Sequence, residues 1–285
     1  MHRSGLQTLE HARKIRIGQI KFTNALPLCH FIDNANPLIE KVPGAQNELN
    51  AWLAEGSVDM GLVSAFAYAQ IADDYALLRG LSISSRGPVG SILFFSKRPL
   101  AELDGCVVAL PTTSASAANL TKILLAEMGV KPTYITREPD LPRMMEEADA
   151  ALLIADFALY WGRQEHPYLM FDLGEEWHNR TGHSMTFGVC AVPKRLIESD
   201  PDTVREIHRL FLESKRKSLA NMEAIYAEAQ AMLGQNAEYW KQYFSKLIYE
   251  FDENMAMGAN AYFDAAYRHG LLPKPVKVEL WGDEK

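Results

Sequence analysis

A regular alternation of short apolar strands with amphipathic helices constrains the fold of this 285-residue chain more than any other feature. In the middle of the chain, apolar runs of strand length alternate with helical patterns. The predicted strands lie at 106–110, 130–135 and 150–154, and the predicted helices at 117–128, 141–148 and 156–163. This order predicts a parallel sheet whose strands are joined by crossover helices.

The same alternation precedes this stretch, and a helical region follows it. Further strands are predicted at 15–20, 38–42, 58–63, 75–83, 91–95 and 187–192. From residue 201 to about residue 270 the pattern is almost wholly helical, with breaks near Gly234 and at 251–253. We therefore predict an α/β protein of two lobes with a ligand cleft between them. Residues 1–96 and 187–285 would form lobe I, which includes the C-terminal helices, and residues 97–186 would form lobe II.

Charge, cysteine content and hydropathy exclude several classes of protein. The net charge of −7 provides no broad basic field, so we expect no nucleic-acid partner. Cys29, Cys106 and Cys190 are too far apart for a CxxC pair, and scattered thiols suit a reducing compartment. Residues 1–14 lack the apolar core of a signal peptide, and the chain has no run of 18 apolar residues. We expect a cytoplasmic protein that does not contact the membrane.

Small polar residues follow several predicted strands at the point where a helix begins. In open α/β sheets ligands collect at that edge, where free backbone N–H groups and the helix dipole favour an anion. The strongest of these loops is 112–116, followed by 22–27, 62–66 and 86–91. The candidate ligand-binding residues are Thr23, Ser64, Ser91, Thr113, Ser114, Ala115 and Ser116.

Two residues are candidates for a more direct chemical role. Asn24 supplies a donor and an acceptor without charge. Asp156 follows an apolar strand, where a carboxylate could act as a base or orient a neighbour. For both residues, as for Ser64, Ser114 and Ser116, capping of the following helix is the alternative interpretation.

Motifs for metal, nucleotide or nucleophilic chemistry are absent from the sequence. There is no GxxxxGK[ST] loop, no GxSxG elbow and no HExxH pair. His166, His178 and His183 fall in one short stretch, but no carboxylate accompanies them at ligand spacing. We expect neither a metal nor a cofactor.

An ordered set of motifs resembles the chorismate dehydratases of the futalosine route to menaquinone. The similarity spans about residues 15 to 270. The motifs are Arg16-Ile17-Gly18-Gln19-Ile20, Thr23-Asn24-Ala25-Leu26-Pro27-Leu28, Gly87-Pro88-Val89-Gly90-Ser91, Thr113-Ser114-Ala115-Ser116-Ala117-Ala118-Asn119-Leu120, Leu152-Leu153-Ile154-Ala155-Asp156 and Trp177 with Thr181-Gly182.

The resemblance implies the two-lobed type II fold of periplasmic binding proteins and a lyase that converts chorismate to 3-[(1-carboxyvinyl)oxy]benzoate and water. It assigns Asn24 to orienting the substrate or its leaving group, and the serine loops to binding carboxylates. It leaves the role of Asp156 undecided. This sequence departs from the family in two places. Ala155 replaces the usual glycine, and the 183–187 segment replaces a Leu-Pro-Phe-Val-like one. We expect a monomer or homodimer.

Two other functions remain possible from the sequence. The 1,4-dihydroxy-6-naphthoate synthases of the same pathway resemble this chain, but they carry a histidine after the strand that here leads to Ala155 and Asp156. A solute-binding protein for a small carboxylate would share the lobes and the polar loops but would need an export signal.

Overall fold

Two β-sheets, each flanked by helices, make up this protein. The computed structural model describes residues 13–282. The strands are β1 Ile15–Ile20, β2 Ile39–Gly44, β3 Met60–Ser64, β4 Tyr75–Ser85, β5 Ile92–Ser96, β6 Val107–Pro111, β7 Thr133–Arg137, β8 Ala150–Ile154, β9 Leu169–Asp172, β10 Met185–Pro193 and β11 Leu280–Trp281.

The helices follow the predicted alternation and then dominate the C-terminal third. They are α1 Leu26–Cys29, α2 Gln46–Glu55, α3 Ala65–Ile71, α4 Ala115–Glu127, α5 Leu141–Glu147, α6 Ala155–Trp161, α7 Leu173–Thr181, α8 Lys194–Ser199, α9 Pro201–Ala220, α10 Met222–Leu233, α11 Ala237–Phe244 and α12 Glu253–Arg268. Short 3₁₀ turns lie at Thr23–Ala25 and Leu100–Glu102. The break predicted near Gly234 is confirmed, the one predicted at 251–253 spans residues 245–252, and a further break at Asn221 was not predicted.

The first sheet has six strands in the order β11-β4-β10-β3-β1-β2. Strand β1 pairs in parallel with both β2 and β3, whereas β10 runs antiparallel to β3 and β4. Every residue of β3 and β10 is buried. These strands read as continuous apolar runs because helices cover both faces of the sheet.

The second sheet has five strands in the order β7-β6-β8-β5-β9. Strand β6 pairs in parallel with β7 and β8, and α4 and α5 connect these strands, which confirms the predicted crossover arrangement. Strand β5 runs antiparallel to β8 and β9. The prediction placed Ile92–Ser96 in lobe I, but this strand pairs within the second sheet. The assignment of residues to lobes remains a prediction. The pairing of β5 moves the predicted boundary between lobe I and lobe II from residue 96 to a point before Ile92.

Two segments carry the chain between the sheets, at residues 86–91 and 182–184. The Asp172 carboxylate, which caps α7, also accepts hydrogen bonds from the backbone N–H groups of Val89 and Gly90. In the second segment the Ser184 carbonyl accepts a hydrogen bond from the buried Trp177 indole at 3.2 Å. Both crossings are therefore attached to α7.

The C-terminal helices pack mainly against the first sheet and its helices. Helix α9 lies against α1 and β4, and α12 lies against β10 and α3 and also reaches α4 of the second sheet. Residues 248–251, between α11 and α12, run beside β4 and exchange backbone hydrogen bonds with it at Ser84. The C-terminal region thus approaches the junction between the two sheets.

Candidate functional site

A cleft lies at the junction of the two sheets. Its walls come from both sheets: from β1, β3, β4 and β10 on one side, and from β5, β8 and the start of α4 on the other. The lining residues of the first sheet include Asn24, Ser64 and Phe187, and those of the second include Ser114 and Ser116.

Helical turns begin at this cleft because parallel strands end there. Four helices and one 3₁₀ turn start at or next to lining residues, and each of them follows a strand: the Thr23–Ala25 turn, α2, α3, α4 and α6. Each start presents backbone N–H groups and the positive end of its dipole. None of the lining residues described by the structure is a lysine or arginine, so the polar character of the cleft comes from neutral donors and acceptors.

Asn24 lies in the turn after β1 and lines the cleft. Its side-chain Oδ1 is buried and has no hydrogen-bond partner among the described residues. Its backbone carbonyl accepts a hydrogen bond from the Tyr249 hydroxyl at 2.9 Å. A buried amide oxygen without a partner is costly, and it fits a position where a ligand supplies the missing group.

The loop before α4 combines capping with exposure to the cleft. Ser114 caps α4 by accepting from the Ala117 N–H at 3.2 Å and also lines the cleft. Thr113, just before it, has a buried hydroxyl without a partner among the described residues, and Ala115 is the first residue of the helix. The alternative of simple capping and the predicted ligand-binding position therefore coincide at Ser114.

Ser116 joins the second sheet to the first. Its hydroxyl accepts from the Phe66 N–H at 3.0 Å and donates to the Phe187 carbonyl at 3.2 Å. Phe66 lies in α3, which follows β3, and Phe187 lies in β10, so both partners belong to the side of the first sheet. Ser116 lines the cleft, but its hydrogen-bonding capacity is used within the protein.

Ser64 caps α3 by accepting from the Ala67 N–H at 3.2 Å. The Asn50 side chain contacts both the Ser64 hydroxyl and its backbone N–H, at 3.3 and 3.1 Å, and also accepts from the Gln46 amide. Ser64 and Gln46 line the cleft and Asn50 supports them from α2.

Ser91 lies at the start of β5, one residue before the lining residue Ile92. It is buried, and its hydroxyl accepts a hydrogen bond from Tyr243 at 2.9 Å. Its carbonyl accepts from the Ala155 N–H at 2.7 Å. The structure thus places Ser91 behind the cleft wall, where it connects the crossing segment to the start of α6.

Asp156 and Thr23 meet across the junction of the two sheets. The Thr23 hydroxyl and backbone N–H both donate to Asp156 Oδ1, at 2.6 and 3.1 Å. Burial raises the pKa of the Asp156 carboxyl above its usual value, and the hydrogen bonds from Thr23 partly offset this effect. Neither residue lines the cleft; together they hold the Asn24 turn against α6.

Ala155 adopts a left-handed backbone conformation at the cleft wall, with φ of +48°. Such a conformation is strained for a residue with a Cβ atom, and strain of this kind gathers at functional sites. The position is one where glycine would be accommodated without strain.

Over residues 13–282 no group of three or more His, Cys, Asp or Glu side chains is placed to hold a metal ion. Within the same range no helix has both the length and the apolar character needed to cross a membrane.

Comparison with known proteins assigns this chain to a family. The model of the family described as menaquinone biosynthesis matches residues 15–268. This chain belongs to the menaquinone-biosynthesis family. The match confirms the family expected from the ordered motifs and covers all the cleft-lining residues.

Two curated members from Thermus thermophilus are similar over most of their length. One, named chorismate dehydratase, is 30% identical over 266 residues, which are 87% of this chain and 94% of that protein. The other, named 1,4-dihydroxy-6-naphtoate synthase, is 29% identical over 251 residues, 85% of this chain and 88% of that protein. Both are enzymes by name, and the chain is a member of this enzyme family.

Solved structures show the same fold at lower sequence identity. A protein from Archaeoglobus fulgidus superposes with a TM-score of 0.72 and 22% identity, covering 92% of this chain and all of its own. The periplasmic aliphatic sulphonate binding protein of Escherichia coli superposes with a TM-score of 0.67 and 19% identity, covering 96% of each chain. The predicted two-lobed type II fold of periplasmic binding proteins is confirmed.

Sequence reasoning missed several residues that shape the site in this member of the menaquinone-biosynthesis family. Gln46 was overlooked, although the pattern of a strand end followed by a helix start at 43–46 could have indicated it. Phe187, in the segment that departs from the family pattern, forms part of the cleft wall. The hydrogen bonds that Tyr243 and Tyr249 donate to Ser91 and Asn24 left no signal in the sequence.

Proposed function

We propose that this protein is a chorismate dehydratase, a cytoplasmic lyase that converts chorismate to 3-[(1-carboxyvinyl)oxy]benzoate and water. Membership of the menaquinone-biosynthesis family and the similarity to the Thermus thermophilus chorismate dehydratase support this activity. The observation that carries the proposal is the buried, unpartnered Asn24 Oδ1 in a cleft without lysine or arginine.

The cleft chemistry fits a ligand with two carboxylates and one hydroxyl. A dianion can be bound without lysine or arginine where several helix N-termini and neutral hydroxyls converge, because each offers N–H or O–H donors already oriented by the fold. In the proposal, the start of α4 holds one carboxylate through the Thr113 and Ser114 hydroxyls and the backbone N–H groups of Ala115 and Ser116. Ser64 completes the facing wall. The Asn24 amide meets the ring hydroxyl that leaves.

The reaction requires orientation more than a strong catalyst. The C3 proton of chorismate is allylic, and the double bond beside it is conjugated with the ring carboxylate. Loss of this proton together with the C4 hydroxyl makes the ring aromatic. The C3 proton passes to a base and the C3–C4 bond becomes double as the C4–O bond breaks. The departing hydroxide takes up the proton from that base, so the products are the aromatic ring and one water. The enzyme contributes a defined substrate conformation, in which the Asn24 amide orients the leaving hydroxyl.

The base in this proposal is the enolpyruvyl carboxylate of the substrate itself. Asp156 stands outside the cleft lining, and its Oδ1 already accepts two hydrogen bonds from Thr23. We therefore assign Asp156 and Thr23 to holding the Asn24 turn in place, and Ser91 to holding the start of α6 through its carbonyl.

The direct test incubates purified protein with chorismate and follows the loss of the cyclohexadiene chromophore and the appearance of a product lighter by one water. We expect turnover by the natural sequence and a loss of about 100-fold in kcat for Asn24→Ala. Asn179→Ala, which changes an exposed amide on α7, is the matched control and should retain full activity.

Other outcomes would identify the rival functions. Binding of chorismate without turnover would favour a solute-binding protein. The absence of both binding and turnover would favour the other enzyme named among the relatives. Full activity in Asn24→Ala would remove the role given to Asn24.

A further inference from the structure

Three buried tyrosines from the C-terminal region each donate a hydrogen bond to a different segment in or directly behind the cleft wall. Each donation is 2.9 Å long: Tyr249 to the Asn24 carbonyl, Tyr243 to the Ser91 hydroxyl and Tyr262 to the Ser116 carbonyl. All three side chains are at most 4% exposed. Buried phenols need a partner, and here each partner belongs to a loop with an assigned role in the proposed function.

Tyr249 extends from a rigid support. Residues 248–251 lie beside β4 and are joined to it by backbone hydrogen bonds: Ile248 exchanges two with Ser84, the Tyr249 carbonyl accepts from Ser82, and the Phe251 carbonyl accepts from Gly80. The backbone on both sides of Tyr249 is therefore held by the first sheet. Its phenol has little freedom to follow a displacement of the loop that it contacts.

The Asn24 turn depends on such external contacts. Within the turn the Ala25 N–H donates to the Phe22 carbonyl, and the Asn24 carbonyl accepts from the Tyr249 hydroxyl. At the preceding residue, Thr23 donates to Asp156. Because Asn24 Oδ1 has no partner among the described residues, the position of the amide in the cleft follows from the position of its backbone.

We propose that these buried tyrosines are positioning residues, and that Tyr249 acts through the Asn24 carbonyl to hold the Asn24 amide where the substrate reacts. Tyr243 acts in the same way on Ser91, and Tyr262 on the start of α4. The inference rests on the proposed function, because the readout is turnover of chorismate. A small displacement of an orienting group is sufficient to slow a reaction that depends on alignment.

The test compares Tyr249→Phe with Tyr226→Phe. Tyr226 is a buried tyrosine of the same region, stacked on Phe244, and its hydroxyl makes no hydrogen bond to another described residue. We expect Tyr249→Phe to lower kcat by about 10- to 100-fold with KM changed by less than about 3-fold. Tyr226→Phe should leave both constants unchanged, and the melting midpoints of the two variants should agree within a few degrees.

A second measurement separates positioning from general support of the fold. If Tyr249 acts through Asn24, Tyr249→Phe should have no further effect on kcat in an Asn24→Ala background, because the group that it positions is gone. Should Tyr249→Phe melt well below Tyr226→Phe, Tyr243→Phe in the Ser91→Ala background provides the same comparison.

The outcomes distinguish this inference from the proposed function. If the natural sequence does not turn over chorismate, both fail. If it does, and the kcat of Tyr249→Phe stays within about 2-fold of it, or falls equally with and without Asn24, the positioning role is overturned and the dehydratase activity stands.

Discussion

The Thr23 hydroxyl donates a 2.6 Å hydrogen bond to Asp156 Oδ1, and this contact joins the turn after β1 of the first sheet to the start of α6 in the second. The Thr23 N–H adds a second bond to the same oxygen at 3.1 Å. Two donors of Thr23 thus bind one carboxylate oxygen 133 positions away in the sequence, and they connect the sheets directly beside the cleft.

The pH dependence of stability should report on Asp156. Since burial raises its pKa in the folded state, the folded protein keeps this proton to a higher pH than the unfolded chain does. The free energy of unfolding should therefore fall as pH rises from the unfolded pKa near 3.8 through the raised folded value. In Asp156→Asn the side chain at this position cannot titrate, so the variant lacks this pH-dependent contribution to the free energy of unfolding.

Urea unfolding of the two proteins over a pH series measures the effect. We expect the stability of Asp156→Asn relative to the natural sequence to increase with pH through this window and then level off. A difference that stays constant, or that decreases as pH rises, would contradict the direction of the Asp156 shift.

Removal of the Thr23 hydroxyl should weaken the same contact. Thr23→Val keeps the shape but leaves the Asp156 carboxylate with one donor fewer, and we expect a cost of about 1.5–3 kcal/mol at neutral pH. In an Asp156→Asn background the acceptor is neutral, so the cost should fall to about 1 kcal/mol.

The double-mutant cycle, followed by chemical unfolding, isolates the pair. Thr121→Val is a matched control, since its buried hydroxyl bonds only to the Ala117 carbonyl within α4. Equal costs of Thr23→Val in both backgrounds would show that Asp156 does not contribute.

Asp172 should be one of the most sensitive carboxylates for stability. It accepts from the backbone N–H groups of Val89 and Gly90 in the crossing segment and of Gly174 and Glu175 in α7. Asp172→Ala leaves these donors without an acceptor, and we expect a loss of about 3 kcal/mol.

Asp140→Ala serves as the comparison for Asp172. Asp140 caps α5 with a single bond to the Arg143 N–H and is joined to no crossing segment, so we expect about 1 kcal/mol. Thermal or urea unfolding measures both variants, and equal losses would mean that the bonds to the crossing segment add nothing.

Ala155 should tolerate glycine, although it lies at the start of a helix. Relief of the left-handed strain, about 1–2 kcal/mol, offsets the added freedom of the unfolded chain and the lost methyl group. We expect Ala155→Gly to change stability by less than about 1 kcal/mol.

Ala158, one turn later and fully buried in α6, should respond in the opposite way. Ala158→Gly has no strain to relieve and should cost about 1.5–2 kcal/mol. Urea unfolding of both variants under the same conditions measures the two effects. A larger loss of stability in Ala155→Gly than in Ala158→Gly would contradict the backbone strain inferred at Ala155.

The repeating pattern of the sequence was sufficient for the alternation of strands and helices, the parallel core of the second sheet and the polar loops at strand ends. These features are local: a period of two or of 3.6 residues, or a small polar residue before a helix, is visible within a few positions. Strand β9 escaped detection because its exposed Leu169 and Met170 give no buried face, and the helix after it, α7, was also missed.

Only the tertiary structure decided which loops meet and what each polar group does there. Ser91 was expected to bind a ligand, but its hydroxyl accepts from Tyr243, 152 positions away, and Asn24 receives Tyr249 across 225 positions. Such contacts depend on strand register and on how helices dock, and each is a small energy among many alternatives. No local pattern specifies them, so the sequence determined the elements and their polar ends, while packing determined the cleft.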